Sequence, residues 1–231
     1  TWTIANGNQT RTVRTACVMP DNDYLYVGTP NGVYHSTDDG ATWTQDITGM
    51  TNRNVRLVAV SPTRAIFASC FGRKLYRSLD YGQTWSLVNE TFGNGEISTM
   101  IFTEDGVIFA GTETAGLFRS LDNGATWASI QKGLNRLLVT SLCYSKNFGL
   151  YHGSYGEVHV SNDRGDTWTR ITNDLPVASV YAIAIASSGR PAVGMEVKGC
   201  YYYDAATRAW LPANTGLFNK SILAFHVNKS G

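Results

Sequence analysis

At 231 residues the chain is long enough for one large all-β domain, and 12% aromatic and 16% charged residues with 23 glycines mark a globular, turn-rich composition rather than disorder. A formal net charge of +1 supplies no general basic field for nucleic acid, and no apolar run approaches the roughly 18 residues of a membrane span. The cysteines Cys17, Cys70, Cys143 and Cys200 form no C-x-x-C pair and read as buried small apolar residues. The histidines lack zinc-site spacing, and the cross-strand pair expected of His152 and His159 is a weak metal signal, so neither metal nor cofactor is expected.

In chain order the apolar segments come in fours. Residues 1–6 read as a fourth strand standing alone. Complete sets follow at 13–19, 24–28, 33–36 and 42–47, then at 55–60, 65–69, 75–78 and 84–88. The third is 97–102, 107–111, 117–120 and 126–130, and the fourth 139–144, 149–153, 158–161 and 167–171. The fifth is 180–186, 192–194, 200–203 and 210–212, after which 222–227 repeats the pattern of a first strand. Each segment is short, rich in β-branched or aromatic residues, and bounded by Gly, Asn, Asp or Pro, with no helical periodicity.

All six tryptophans, Trp2, Trp43, Trp85, Trp127, Trp168 and Trp210, fall 41 or 42 residues apart. Four of them close one phrase: Ser36-Thr-Asp38-Asp-Gly40-Ala-Thr42-Trp43, Ser78-Leu-Asp80-Tyr-Gly82-Gln-Thr84-Trp85, Ser120-Leu-Asp122-Asn-Gly124-Ala-Thr126-Trp127 and Ser161-Asn-Asp163-Arg-Gly165-Asp-Thr167-Trp168. A fifth copy is worn, keeping Asp204 and Trp210 with one extra residue between them and neither Ser nor Gly. Asp can accept backbone hydrogen bonds in such a turn, Gly takes the positive φ, and Trp anchors the hairpin, so these residues read as scaffold.

Four antiparallel strands every 42 residues or so make the blade of a β-propeller. The phrase resembles the Asp-box of the BNR repeat family, which includes sialidases, xyloglucanases, sortilin-type receptors, a photosystem assembly factor and many secreted bacterial propellers. The resemblance implies a propeller with Asp-box turns between the third and fourth strands of each blade, and it implies secretion or surface display. Five full repeats and two partial ones suggest a six-bladed parent ring, with five or seven blades as alternatives. Residues 1–231 are therefore read as a single propeller domain that opens and closes mid-repeat, an excised or truncated piece of a longer protein. Open blade edges would invite self-association.

Function is expected on the loops joining strands two to three and four to one, which share one face of a propeller. Arg14 and Arg56 occupy one column at the start of strand one, shared with Ser98, Thr140, Tyr181 and Leu223, and paired guanidiniums suit carboxylates. The column after strand two holds Phe71, Glu113, Tyr155 and Glu196, with Arg73, Glu157 and Lys198 nearby, a mixture that suits sugars or a protein surface. The plain alternative is that these are ordinary exposed loop and channel-lining residues. The sequons at Asn8, Asn89, Asn219 and Asn228 matter only in a glycosylating host.

The resulting expectation is a non-catalytic extracellular or surface-displayed module that recognises a glycan or a protein. A glycoside hydrolase is the alternative, xyloglucanase-like with Glu113 and Glu196 as its carboxylates, or sialidase-like with Arg14, Arg56 and Arg73 as a triad and Tyr155 with Glu157 as nucleophile pair. The uniform repeats hold no catalytic insertion, and the Arg-rich phrase usual near the start of sialidases is missing. An assembly factor docking a protein complex is the second alternative.

Overall fold

The computed structural model describes residues 12–89 and 92–226, with only the backbone of Asn89. Trp2, the strand expected over 1–6, the sequons at Asn8 and Asn228, and part of that at Asn89 lie outside the described residues.

Twenty strands form five four-stranded antiparallel sheets, each a simple meander, and no helix occurs among the described residues. The first sheet is β1 Thr15–Val18, β2 Leu25–Thr29, β3 Gly32–Ser36 and β4 Thr44–Asp46. The second is β5 Val55–Val60, β6 Ile66–Cys70, β7 Lys74–Ser78 and β8 Ser86–Asn89. The third is β9 Ile97–Phe102, β10 Ile108–Thr112, β11 Leu117–Ser120 and β12 Ala128–Ser129. The fourth is β13 Ser141–Ser145, β14 Gly149–Ser154, β15 Glu157–Ser161 and β16 Thr169–Arg170. The fifth is β17 Val180–Ile185, β18 Pro191–Met195, β19 Gly199–Asp204 and β20 Ala209–Pro212. This is an all-β propeller fold.

The fourth strands of the first four sheets begin two residues later than the apolar pattern suggests, because Thr and Trp of the turn phrase are still engaged in the turn. The expected strand at 222–227 does not form over 222–226. Ile222 donates its N–H to the Met195 carbonyl at 3.2 Å, but no second strand pairs with the segment among the described residues.

The chain divides into two compact units. The first comprises Thr1–Ile97, Phe102–Ile108 and Ser120–Trp127; its core gathers Met19, Tyr26, Val55, Val58, Ile66, Tyr76 and Trp85. The second comprises Ser98–Ile101, Phe109–Arg119 and Ala128–Gly231; its core gathers Tyr151, Val158, Val180, Ile183, Val193, Met195 and Trp210. Second strands are buried on both faces, which is why they read as continuous apolar runs: β6 and β10 are buried at every residue. Two glycines show how closely neighbouring sheets approach. A Cβ at Gly28 would lie 2.7 Å from Val55 Cγ1, and one at Gly153 2.8 Å from Val180 Cγ1.

Candidate functional site

The turn phrase closes on itself the same way four times. In the fourth copy the Ser161 hydroxyl donates to Asp163 Oδ1 at 2.7 Å and accepts the Gly165 N–H at 2.7 Å. Asp163 Oδ1 also accepts the Thr167 N–H at 2.9 Å, and Oδ2 accepts the Thr167 hydroxyl at 2.5 Å. Ser36, Asp38, Gly40 and Thr42, the set at 78–84, and the set at 120–126 repeat these bonds. Bonds from the threonine hydroxyl and amide, then from serine, hold Asp38, Asp122 and Asp163 down at about 2. Burial opposes that shift at Asp80, but its bonds from Thr84 and Ser78 still lower it. Each carboxylate is committed to its own turn.

The residue before each glycine is also left-handed: Asp39 at φ 56°, Tyr81 at 59°, Asn123 at 56° and Arg164 at 58°. The sequence pattern misses this, because four unlike side chains occupy the position. Trp168 and Trp210 donate their indole N–H groups to the Ile130 and Ile171 carbonyls at 2.9 and 2.6 Å.

The column at the start of strand one has a repeated task. Ser98 and Thr140 donate their hydroxyls to the Val139 and Val180 carbonyls, each at 2.6 Å, stitching one sheet to the next. Arg14 does the same through Nη1 to the Val55 carbonyl at 2.8 Å, and also reaches Asn54 Oδ1 at 2.5 Å. The rest of its guanidinium covers Phe71, with Cζ 5.0 Å from the ring centroid, and Arg56 Cζ lies 5.6 Å from the same centroid. Two cations thus converge on one exposed aromatic ring, drawn by its quadrupole. Arg73, left-handed at φ 67°, turns to Asn94 Oδ1 at 3.0 Å, while its amide and that of Gly72 bind the Glu96 carboxylate at 3.4 and 2.8 Å. Arg14, Arg56 and Phe71 come together; Arg73 is occupied beside them.

In the second unit Tyr155 bridges to Ser179, and the Glu196 N–H donates to the Ser179 carbonyl at 3.0 Å. Tyr155, Tyr181 and Glu196 therefore border one segment, with both tyrosines exposed and Glu196 half-buried. Glu113 is half-buried. Glu157 departs from the expected rim position: β15 starts with it, and the residue is 8% exposed, opposite Ser154. Its Oε1 lies 3.8 Å from Arg136 Nε and 3.9 Å from Arg170 Nε, and it shares no hydrogen bond with Tyr155 among the described residues.

His152 and His159 do face each other across β14 and β15, ring centroids 5.7 Å apart. No group of three metal-binding side chains surrounds them or any other point among the described residues. His152 Nε2 lies 3.2 Å from the Leu138 carbonyl, while its Nδ1 and both nitrogens of His159 are buried without partners. Burial, then the neighbouring His159, pushes His152 down to about 4; burial lowers His159 as well. The cysteines are free, and burial raises Cys17 and Cys70 to about 12, which leaves them inert. Sequence reasoning missed the His35–Asp46 pair, 2.6 Å apart, in which burial lifts Asp46 to about 6 against the pull of His35.

The DUF6242 beta propeller domain matches residues 71–195, just over half of the chain. The chain belongs to that family. No curated protein matches it. Among solved structures it is similar to the extracellular domain of BT4673 from B. thetaiotaomicron, at 18% identity and a TM-score of 0.77 over 96% of this chain and 31% of that one. It is similar to an ancestral GH74 enzyme at 21% identity and a TM-score of 0.76, covering 94% of this chain and 32% of that one. YCF48 bound to D1 peptide aligns at 14% identity and a TM-score of 0.67, covering 89% of this chain and 69% of YCF48. The DUF6242 chain thus spans about a third of the length of the first two structures, and at these identities the likeness shows the fold alone.

Proposed function

We propose that this DUF6242 propeller is a non-catalytic, extracellular or surface-displayed binding module that takes a carboxylate-bearing ligand, an acidic glycan foremost, at Arg14, Arg56 and Phe71. The observation that carries the reading is the convergence of two guanidiniums on one exposed ring. Guanidinium forks pair with carboxylates in two-pronged fashion, and the ring holds the two forks at one point. Anchoring Arg14 on Asn54 and Val55 fixes its fork before ligand arrives, which lowers the ordering cost of binding. An extracellular domain and a GH74 enzyme among the similar structures support a surface location and a saccharide ligand. A role without catalysis is supported by Glu157, which is buried beside two arginines and unbonded to Tyr155.

A second reading, recognition of a protein carboxylate, is favoured by the peptide bound to YCF48. The test is an array of acidic and neutral glycans probed with wild type, Arg14→Ala/Arg56→Ala and Glu113→Ala/Glu196→Ala. Binding to uronate-bearing glycans that only the arginine variant loses is the expected result. Loss in the carboxylate variant alone would move the site to Glu113 and Glu196, and silence on every glycan would leave the protein-carboxylate reading.

A further inference from the structure

A cavity of about 350 Å³ opens in the second unit, walled by Tyr151, Val160, Ile171, Arg190, Tyr203 and Asp204. It lies at the β17–β18 and β19–β20 turns, the ends of the sheets remote from Tyr155 and Glu196. The turn phrases explain why it is open. In the fourth copy Gly165 sits so close to Ile130, three residues after Trp127, that a Cβ would come within 2.5 Å of Ile130 Cδ1. In the second copy a Cβ at Gly82 would likewise lie 2.9 Å from Asp46 Oδ2. The fifth copy has no glycine and one residue more. Ile171, three residues after Trp168, lines the cavity instead of meeting a glycine.

The opening also changes what surrounds one tyrosine. Tyr26 and Tyr151 occupy one column, opposite Cys17 and Cys143. The Tyr26 hydroxyl donates to the Tyr81 carbonyl in the next turn phrase at 3.0 Å. The residue corresponding to Tyr81 in the fifth copy is Ala205, on the cavity wall. Tyr151 is 7% exposed and lines the cavity.

We propose that this cavity is a binding site for the terminal ring of a neutral saccharide, independent of the arginine site. Its volume is at the small end of the range of about 300–1,000 Å³ for ligand pockets, room for one ring and its substituents. Val160, Ile171 and Tyr203 give a wall for the apolar face of a pyranose. Around the perimeter Arg190 donates, Asp204 accepts, and the hydroxyls of Tyr151 and Ser188 do both, as vicinal hydroxyls require. Asp204 keeps accepting capacity beyond the Ala206 N–H at 3.0 Å and the Thr207 hydroxyl at 2.9 Å. Arg190 is steadied over Tyr202, with Cζ 5.0 Å from the ring centroid. An aromatic side chain would leave these groups unmatched.

The test is titration of the chain with the methyl glycosides of glucose, galactose, mannose and xylose, followed by ligand-observed NMR and calorimetry. At least one glycoside should bind saturably. Ala205→Tyr, which restores the second copy's residue and fills the cavity, should abolish binding, while Tyr151→Phe should weaken it about fivefold, the loss of one hydrogen bond. Arg14→Ala/Arg56→Ala should bind these neutral probes as wild type does, which separates this site from the acidic-ligand site. Absence of saturable binding overturns the proposal, as does undiminished binding by folded Ala205→Tyr. If Ala205→Tyr does not fold, unchanged affinity in Tyr151→Phe overturns it.

Discussion

Replacing His152 with Val and His159 with Tyr should make the protein's stability less sensitive to acid. The same cross-strand positions hold Val27 and Tyr34 in the first sheet and Val193 and Tyr201 in the fifth, so this pair of side chains suits the fold. His152 is fully buried and held down at about 4 in the folded chain, against 6.5 when unfolded. The unfolded chain therefore binds the extra proton first, and stability is intact above pH 6.5 and falls as pH drops towards 4. At about 1.4 kcal/mol per pH unit, His152 alone removes roughly 2–3 kcal/mol by pH 4.5. His159 adds to the loss in the same direction: burial and Arg170 disfavour its proton, with Glu157 opposing them. Urea unfolding at pH 7.5 and pH 4.5 checks this, because other groups, Asp46 among them, titrate in both proteins and drop out of the comparison. Wild type should lose about 1 M more in urea midpoint than His152→Val/His159→Tyr, taking a slope of ~2–3 kcal/mol/M. Equal losses in the two proteins would refute the reasoning.

Ser161→Ala should destabilise by about 1–3 kcal/mol, since the buried Gly165 N–H loses its acceptor; thermal unfolding reads this, and an unchanged midpoint would count against the turn's structural role. Gly153→Ala should cost about 1–3 kcal/mol by forcing β14 away from Val180, and a neutral result in denaturant titration would contradict the close sheet approach. Val18, Phe218 and Leu223 are exposed at 52%, 105% and 69%, so sedimentation should show association rising with concentration; a constant monomer mass would dismiss it.

The strands and turns were legible because each repeat writes them as short apolar segments and a fixed phrase, and the register that pairs His152 with His159 followed from the same alignment. Glu157 was misplaced because strand β15 begins one residue earlier than its apolar run, and in a strand one residue decides the face. Arg14, Arg56 and Phe71 were legible as neighbours on one loop face, but the gathering of both guanidiniums on the ring depends on side-chain packing that spacing does not show. The cavity beside Tyr151 was invisible because it arises from what the worn phrase fails to fill.

The most direct measurement is calorimetric titration of an oligogalacturonate into wild type and Arg14→Ala/Arg56→Ala at low and physiological salt. Wild type should bind, more weakly as salt rises, and the variant should lose both the affinity and its salt dependence. Equal binding by the two proteins would contradict an acidic-ligand site at Arg14, Arg56 and Phe71.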